Sequence, residues 1–391
     1  LDIELDESDA EDITIDNEEE VKLYGYDYIE YDDLKKKFEV NHTVIATPLM
    51  ICREFVDRYY YNGKMKQQIK YELYSFSNIR DLYMNLYFQR KEYQPDGNGG
   101  FEVVIKNVPF IKEWLYDATR RTLSKMDFCP HPPNKPEIAP KQIYNMFDGF
   151  RTKMPNADKE YDFDVDKEVS RFLNHLKLLV GHEEDAYNYL INYIADLLQN
   201  PQKLPEVCLV FKSKQGLGKD LMINYIEKLI GDKYVYRTSN LEEVYGNFNP
   251  AVKGKLMVQL NEVEGKDGFT KKERLKDSFT AETLNVNEKN IKQYKIRNAI
   301  RFIIFSNNLT PIDIPADDRR FVVFQGGDLL DEKERDAYYC PLFDNLINED
   351  VMGKILEYFM NVDLTDFNLR RHRPITKAYR DIREACIPPL Y

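Results

Sequence analysis

No stretch of this sequence approaches the ~18 consecutive apolar residues of a membrane-crossing helix, so a soluble protein is expected. Cysteine is scarce. The five cysteines, Cys52, Cys129, Cys208, Cys340 and Cys386, lie scattered with no Cys-x-x-Cys pair. That pattern argues against a zinc finger and suits a reducing compartment. Cys129-Pro-His131 supplies half a metal site with no second pair nearby, and is expected to be loop. No signal peptide is visible, and the first residue is Leu1 rather than Met, as in a piece of a longer polypeptide. Basic residues are nearly missing from one region only. Residues 1–33 hold fifteen acids and the single base Lys22, a balance of −14 within a whole-chain net charge of −12. The rest therefore sets 54 bases against 52 acids, or +2. An acidic average usually argues against nucleic-acid binding, but here the acid is confined to the leader and the objection lapses.

At 391 residues the chain has room for two or three domains with sizeable cores. Residues 1–20 combine high charge with no apolar period and read as an acidic, disordered leader. It is either a solvated linker, the preferred reading, or a segment that shields a nucleic-acid groove. Residues 21–150 read as a mixed α+β region rich in aromatics. Tyr59-Tyr60-Tyr61, Tyr71 to Phe76 and Tyr83 to Phe88 alternate with Lys64, Lys66, Lys70, Arg80 and Arg90. Such interleaving can clamp a single strand, but core aromatics beside surface lysines are expected for most of them. Asp96 to Gly100 reads as a turn. Phe110 to Met126 has helical periodicity, with the only tryptophan, Trp114, on its apolar face as a core residue. Five prolines between Pro130 and Pro140 mark an extended connector. Residues 151–204 read as a helical preface suited to oligomer contacts. Val169 to Val180 and Ala186 to Leu198 are its helices, and Gly181-His182 is the stop between them.

The chemistry gathers after residue 205. Val207 to Phe211 is an apolar run, Lys212 to Asp220 a turn containing Gly216 and Gly218, and Leu221 to Ile230 an amphipathic helix. Strand, glycine turn and helix, in that order, are the context that a phosphate-binding loop requires. The glycines let backbone N–H groups turn inward around an anion, and the positive end of the helix dipole lies behind it. Lys219 can then reach the β- and γ-phosphates of a nucleotide. Ser213, Gln215, Gly216, Gly218, Lys219, Asp220 and Leu221 are the expected nucleotide-binding residues. Two positions depart from the consensus. Ser213 holds the first glycine position, and Asp220 replaces the hydroxyl residue that would ligand Mg²⁺. An ordinary βα turn with a solvated lysine is the bland alternative.

Strand and helix alternate downstream, as in a three-layer α/β ATPase. Lys255 to Asn261 is an apolar run closing on Glu262, an acid that can hold Mg²⁺ through water or polarise the attacking water. Asn261 stands where a metal-holding aspartate often sits. Asp220 either restores that charge near the metal or simply serves the helix dipole. Ala299 to Phe305 is a second run, ending in Asn307 and Asn308. Either amide can position the lytic water or contact the γ-phosphate, and both also make good turn chemistry. Arg319 and Arg320 precede a last strand, Phe321 to Phe324, and read as surface decoration or as an arginine finger for a neighbour's nucleotide. Between these runs, Lys276 lies on a short helix, and Leu284 to Lys295 reads as a hairpin with Lys289 and Lys292 near its tip. It is a phosphate-backbone grip or a solvated hairpin. Residues 331–391 read as helices around a basic turn, Asn368 to Pro374.

Together these residues resemble the superfamily 3 helicases, in particular the helicase part of viral and mobile-element primase-helicases of the poxvirus type. The likeness rests on Ser213-x-x-Gly216-x-Gly218-Lys219-Asp220, Asn261-Glu262, the insertion from Lys276 to Lys295, Ser306-Asn307-Asn308 and Arg319-Arg320. It covers about residues 165–330. Residues 21–150 resemble that group less specifically, through Phe110-x-x-x-Trp114-Leu and Tyr144-Asn-x-Phe147-x-Gly149-Phe. The resemblance implies an AAA+ P-loop ATPase core over residues 205–330, with a parallel sheet. It implies ATP and Mg²⁺ as cofactors and a hexameric ring translocating 3′ to 5′ on one strand of single-stranded or forked DNA. It also implies an upstream primase domain or replication proteins as partners, in the host cytoplasm or a viral replication site. By the same carry-over Glu262 activates water, Asn307 or Asn308 senses the γ-phosphate, Arg320 or Arg319 reaches the next subunit, and Lys289 lies on the gripping hairpin. A non-motor scaffold that binds nucleotide and DNA is the alternative from another class. A small-molecule kinase lacks a visible lid and acceptor pocket.

Overall fold

A computed structural model describes residues 30–61, 64–135, 139–156, 158–246, 249–261, 275–289, 291–308, 314 and 318–386. The chain divides into two compact units. One comprises Leu1–Met126, Lys141–Tyr144 and Asn290–Lys292, and the other Asp127–Pro140, Asn145–Lys289 and Gln293–Tyr391. Among the described residues, no helix is long and apolar enough to cross a membrane.

In the first unit, helix α1 (Tyr31–Phe38) precedes strands β1 (His42–Thr47), β2 (Met50–Tyr61) and β3 (Lys64–Tyr74). Helix α2 (Phe76–Leu82) follows, then the hairpin β4 (Tyr87–Pro95) and β5 (Phe101–Pro109), helix α3 (Phe110–Tyr116), and strands β6 (Thr122–Asp127) and β7 (Ile143–Asn145). One sheet runs β3-β2-β1-β6-β7, and β4-β5 stands as a separate ribbon. The core joins Leu34 and Phe38 of α1 to Ile79, Phe88, Phe110 and Trp114. Trp114 is fully buried, and its indole N–H donates to Glu39 Oε1 at 2.8 Å, which is how so large a polar-tipped ring is satisfied inside.

The helical pattern read over Phe110 to Met126 is corrected here. The helix stops at Tyr116, where Asp117 turns extended and its carboxylate accepts the Thr119 N–H and hydroxyl. An aspartate that bonds its own backbone two residues on competes with the helix. The following residues pair in parallel with β1 instead, Val44 opposite Thr122 and Ile45 opposite Leu123.

The second unit opens with helices α4 (Val165–Leu179) and α5 (Glu184–Gln199). Asp164 caps α4 by accepting the Lys167 N–H. Between the helices Gly181 sits at φ +66°, and a Cβ there would come within 2.6 Å of the Gln325 carbonyl oxygen. Strand β8 (Cys208–Lys212) leads through the glycine turn into α6 (Lys219–Ile230), followed by β9 (Val235–Thr238) and β10 (Met257–Asn261). Strands β11 (Thr283–Val286) and β12 (Tyr294–Arg297) form an antiparallel hairpin. Strands β13 (Arg301–Ser306) and β14 (Phe321–Gln325) and helices α7 (Glu332–Ile347), α8 (Glu349–Met360) and α9 (Lys377–Ala385) complete the unit.

The main sheet runs β14-β8-β13-β10-β9, every pairing parallel. The strands are in step: Cys208 lies opposite Phe302 and Phe321, and Lys212 opposite Ser306 and Gln325. Their carboxyl ends therefore share one edge and their amino ends the other. Both faces are covered, as the continuous burial of β8 and β13 requires. On one face, Ala378, Tyr379 and Ile382 of α9 pack with Val210, Val258, Phe302 and Val323. The helical layer of α4, α5, α6 and α8 is held by contacts such as Phe172 stacked on Tyr225 at 4.1 Å. A fully buried ion pair, Arg301 to Asp196 at 2.8 Å, ties β13 to α5.

Candidate nucleotide cleft

β8 connects on one side to neighbours β13, β10 and β9 and on the other to β14. In open parallel sheets a ligand crevice forms beyond the carboxyl ends of the strands at such a switch. The turn after β8 lies there. Gly216 and Gly218 adopt φ +92° and +84°, the left-handed region that favours glycine. Gly218 has a further constraint: a Cβ would meet His175 Cε1 at 2.7 Å and Tyr339 Cε1 at 3.0 Å. From behind, Gly326 follows β14 so closely that a Cβ would reach 2.6 Å from Ser213 Cβ.

Lys219 is the first residue of α6, and its side chain turns back over the loop. The ammonium donates to the Ser213 carbonyl at 3.2 Å and to Asn307 Oδ1 at 3.0 Å. The neighbouring Asp220 faces β10. Gln259, fully buried, donates its amide N–H₂ both to Asp220 Oδ1 (2.9 Å) and to Asn261 Oδ1 (2.8 Å). Its own Oε1 is buried with no hydrogen-bond partner. Asp220, Gln259 and Asn261 thus form one bonded row from helix to strand end.

A cleft of about 690 Å³ opens over this row, lined by Gln215 to Leu221, Asn224, Asn261, Phe305 to Asn307, and four residues of α7. The predicted residues Gln215, Gly216, Gly218, Lys219, Asp220, Leu221 and Asn307 meet in it. Ser213 lies behind it, buried, with its N–H on the Ser306 carbonyl. Asn308 does not line it, and its backbone N–H bonds Ser306 Oγ. Glu262 lies outside the described residues. Arg319 and Arg320 stand at the opposite edge, because Phe321 pairs with the first residue of β8 and the loop follows the last. Lys276 is half-buried, while Lys289 and Lys292, between β11 and β12, are exposed. Among the described residues, no three His, Cys, Asp or Glu side chains gather into a metal cage.

Sequence reasoning missed two contributors. The first is α7, whose Arg335, Asp336, Tyr339 and Phe343 form the far wall of the cleft. Their spacing places them on one helical face, and the Tyr339 hydroxyl donates to the Gly216 carbonyl at 3.3 Å. The second is His175 of α4, fully buried, with Nε2 on the Gly218 carbonyl at 3.0 Å and Nδ1 on the Tyr338 hydroxyl at 3.3 Å. A carbonyl only accepts, so Nε2 carries the proton and Nδ1 accepts from Tyr338. Burial holds the imidazole neutral, with its pKa pushed down to about 4. The histidine fixes Gly218, the residue that precedes α6, and no metal-like spacing would have singled it out.

Residues 211–320 match a family of unknown function (DUF5906). The chain is similar to the DNA primase-polymerase of Nitratiruptor phage NrS-1, at 35% identity over 174 residues. That match covers 43% of this chain and spans 24% of the length of the relative. The apo structure of the NrS-1 C-terminal region (305–718) superimposes with a TM-score of 0.56 at 23% identity, covering 85% of this chain and 73% of that one. A second apo form of that region gives 0.56 at 22% identity, covering 85% and 72%. The mixed α/β fold with its parallel sheet is shared with that region.

Proposed function

We propose that this chain is the ATP-driven motor part of a DNA helicase of viral or mobile-element replication, of superfamily 3 type and with an AAA+ core. The observation that carries the reading is the position of Lys219. It projects over a two-glycine turn at the carboxyl edge of a parallel sheet, hydrogen-bonded to the amide of Asn307 just after β13. An incoming triphosphate replaces those neutral partners with charged oxygens, a stronger bond for the same ammonium. In this reading the loop N–H groups and α6 bind the phosphates, Lys219 spans the β- and γ-phosphates, and Asn307 senses the γ-phosphate. Tyr339 and Phe343 offer a stacking wall to the base. Glu262 is the base that orients water, and Arg320 or Arg319 serves the nucleotide of a second copy. Exposed Lys289 and Lys292, with Lys276, act on DNA.

The cleft residues suit a hard cation such as Mg²⁺. Asp220 and Asn261 are oxygen donors on one wall, and Gln259, bonded to both, lies buried behind them. Asp220 and Glu262 would hold the ion, which neutralises charge on the phosphates when bound. A second reading, a non-motor scaffold that binds nucleotide and DNA, is favoured by the same row, where Gln259 occupies Asp220 and an amide replaces the expected acid. Hydrolysis with Mg²⁺, with and without single-stranded DNA, separates the two. Turnover raised by DNA and lost in Lys219→Ala and Arg320→Ala supports the motor. Nucleotide binding without turnover at any protein concentration supports the scaffold.

A further inference from the structure

The amino edge of the main sheet carries a second cleft, of about 500 Å³, that the nucleotide reading does not use. Three loops meet there: Lys203 to Glu206 ahead of β8, Arg319 ahead of β14, and Asn368 to Arg373 between α8 and α9. Five of its lining residues are basic and one, Glu206, is acidic. Glu206 is engaged by Arg370 at 2.7 Å, and Arg373 is spent inward on Asp318 at 2.7 Å. Lys203, Arg319 and Arg371 are exposed, and among the described residues no carboxylate pairs with them.

The scaffold behind these cations is built. Asn368 Oδ1 accepts the N–H groups of Arg370 and Arg371, His372 stacks on Phe367, and the buried Tyr189 hydroxyl donates to the Leu369 carbonyl at 2.7 Å. Asp318, pinned by Arg373, accepts the N–H groups of Arg320 and Phe321. Unpaired cations on a rigid frame do not neutralise one another or collapse onto acids of the same chain. They present positive charge to a polyanion at little ordering cost.

We infer that this amino-edge groove is a second nucleic-acid site, holding the phosphate backbone of a single strand through Lys203, Arg319 and Arg371. The lining contains no aromatic residue, so bases are not stacked and sequence is not read. Strands of five residues span about 16 Å, so a strand held here does not enter the nucleotide cleft at the other edge.

The test uses the full chain, a fluorescein-labelled oligothymidylate and anisotropy titrations over a range of salt. The variant is Lys203→Ser with Arg371→Ser, both exposed and neither assigned to the nucleotide cleft. Each phosphate contact to a single strand contributes ~0.7 to the slope of log K against log salt, so losing two lowers it by about 1.4. At about 0.1 M salt that is roughly 25-fold in affinity. The conservative Arg371→Lys variant keeps the slope, and a nucleotide turnover without DNA equal to wild type shows the double variant folded. An unchanged slope and affinity overturns the inference. So does intact oligothymidylate binding with impaired nucleotide turnover, which would assign the groove to the triphosphate of a second copy. Failure here leaves the Lys219 reading standing, because that rests on turnover.

Discussion

Lowering the pH from 7 to 5 is expected to weaken the first unit through one buried imidazole, and the only tryptophan reports it. His42 is 1% exposed and stacked on Phe38 at 3.8 Å, and Phe38 in turn meets Trp114 edge-on at 4.9 Å. Nδ1 donates to the Phe38 carbonyl at 3.0 Å, and Nε2 accepts from the Tyr83 hydroxyl at 2.8 Å, so both ring nitrogens are satisfied only in the neutral form. Burial, with a smaller push from Arg53 and against the Phe38 bond, lowers the pKa from 6.5 to about 3. The unfolded chain therefore binds the proton first as pH falls below 6.5. Stability is fully present above that value and is lost towards pH 3, by about 2 kcal/mol at pH 5. The shifted carboxylates of this unit do not confuse this window. Asp117, Asp57 and Glu92 are held below their usual range by Lys35, Lys70 and Lys106, so their contributions start to be lost only as pH falls through the ordinary values of 3.8 to 4.5. Urea unfolding followed by Trp114 emission at pH 7 and pH 5 measures the loss, and His42→Asn, which keeps the donor to Phe38, should remove most of it. An equal pH dependence in His42→Asn, or an imidazole NMR titration of His42 near pH 6.5, would refute the reasoning.

Three further outcomes are expected. Gly218→Ala forces a left-handed alanine, costing about 1–2 kcal/mol, and presses on His175 and Tyr339, so nucleotide affinity by calorimetry should fall at least about tenfold. Asp196→Ala strands the fully buried Arg301 and should cost about 3–5 kcal/mol in urea unfolding followed by circular dichroism, a loss under 1 kcal/mol being the contrary result. Tyr339→Ala with Phe343→Ala should weaken ATP by about 1–3 kcal/mol while leaving tripolyphosphate unchanged, since only the base has a face to stack. Equal loss for both ligands would remove the wall from the base site.

What the sequence made legible was local. The run Val207 to Ile230 carries a buried strand, two glycines and an amphipathic helix in the order the fold uses, so Lys219 and the turn could be read in one dimension. Asn307 could be found because a strand ending in amides announces an edge. Its bond to Lys219 could not, because 88 residues separate them. The α7 wall was illegible for a different reason. Its apolar side chains divide between the helix layer, where Leu342 is buried, and the cleft, where Phe343 is half-exposed, so no single stripe stands out. His175 looked like one polar residue on an apolar helix, and only the approach of Gly218 gives it a task. At Phe110 to Met126 the period was real over its first two turns, and a tertiary pairing with β1 took the rest.

The geometry of the main sheet also decides how arginines 319 and 320 can act. The glycine turn leaves the carboxyl end of β8, and both arginines enter at the amino end of β14 beside it, a strand length of about 16 Å away. No side chain crosses that distance through a packed sheet, so an arginine that serves a nucleotide must serve one held by another copy. Such a contact joins two different surfaces, and repeated contacts of that kind close rings. The consequence is quantitative. Lys219→Ala spoils the cleft and spares the arginine, while Arg320→Ala does the reverse. Alone, each protein should be inactive. When the two are mixed in equal amounts and assemble at random, a sound cleft meets a sound arginine at about a quarter of the contacts, and that fraction of turnover should return. If instead the mixture stays as inactive as its parts under conditions where the copies exchange, Arg320 acts within its own chain or only supports the fold. The edge-to-edge reading then fails, whatever the fate of the cleft.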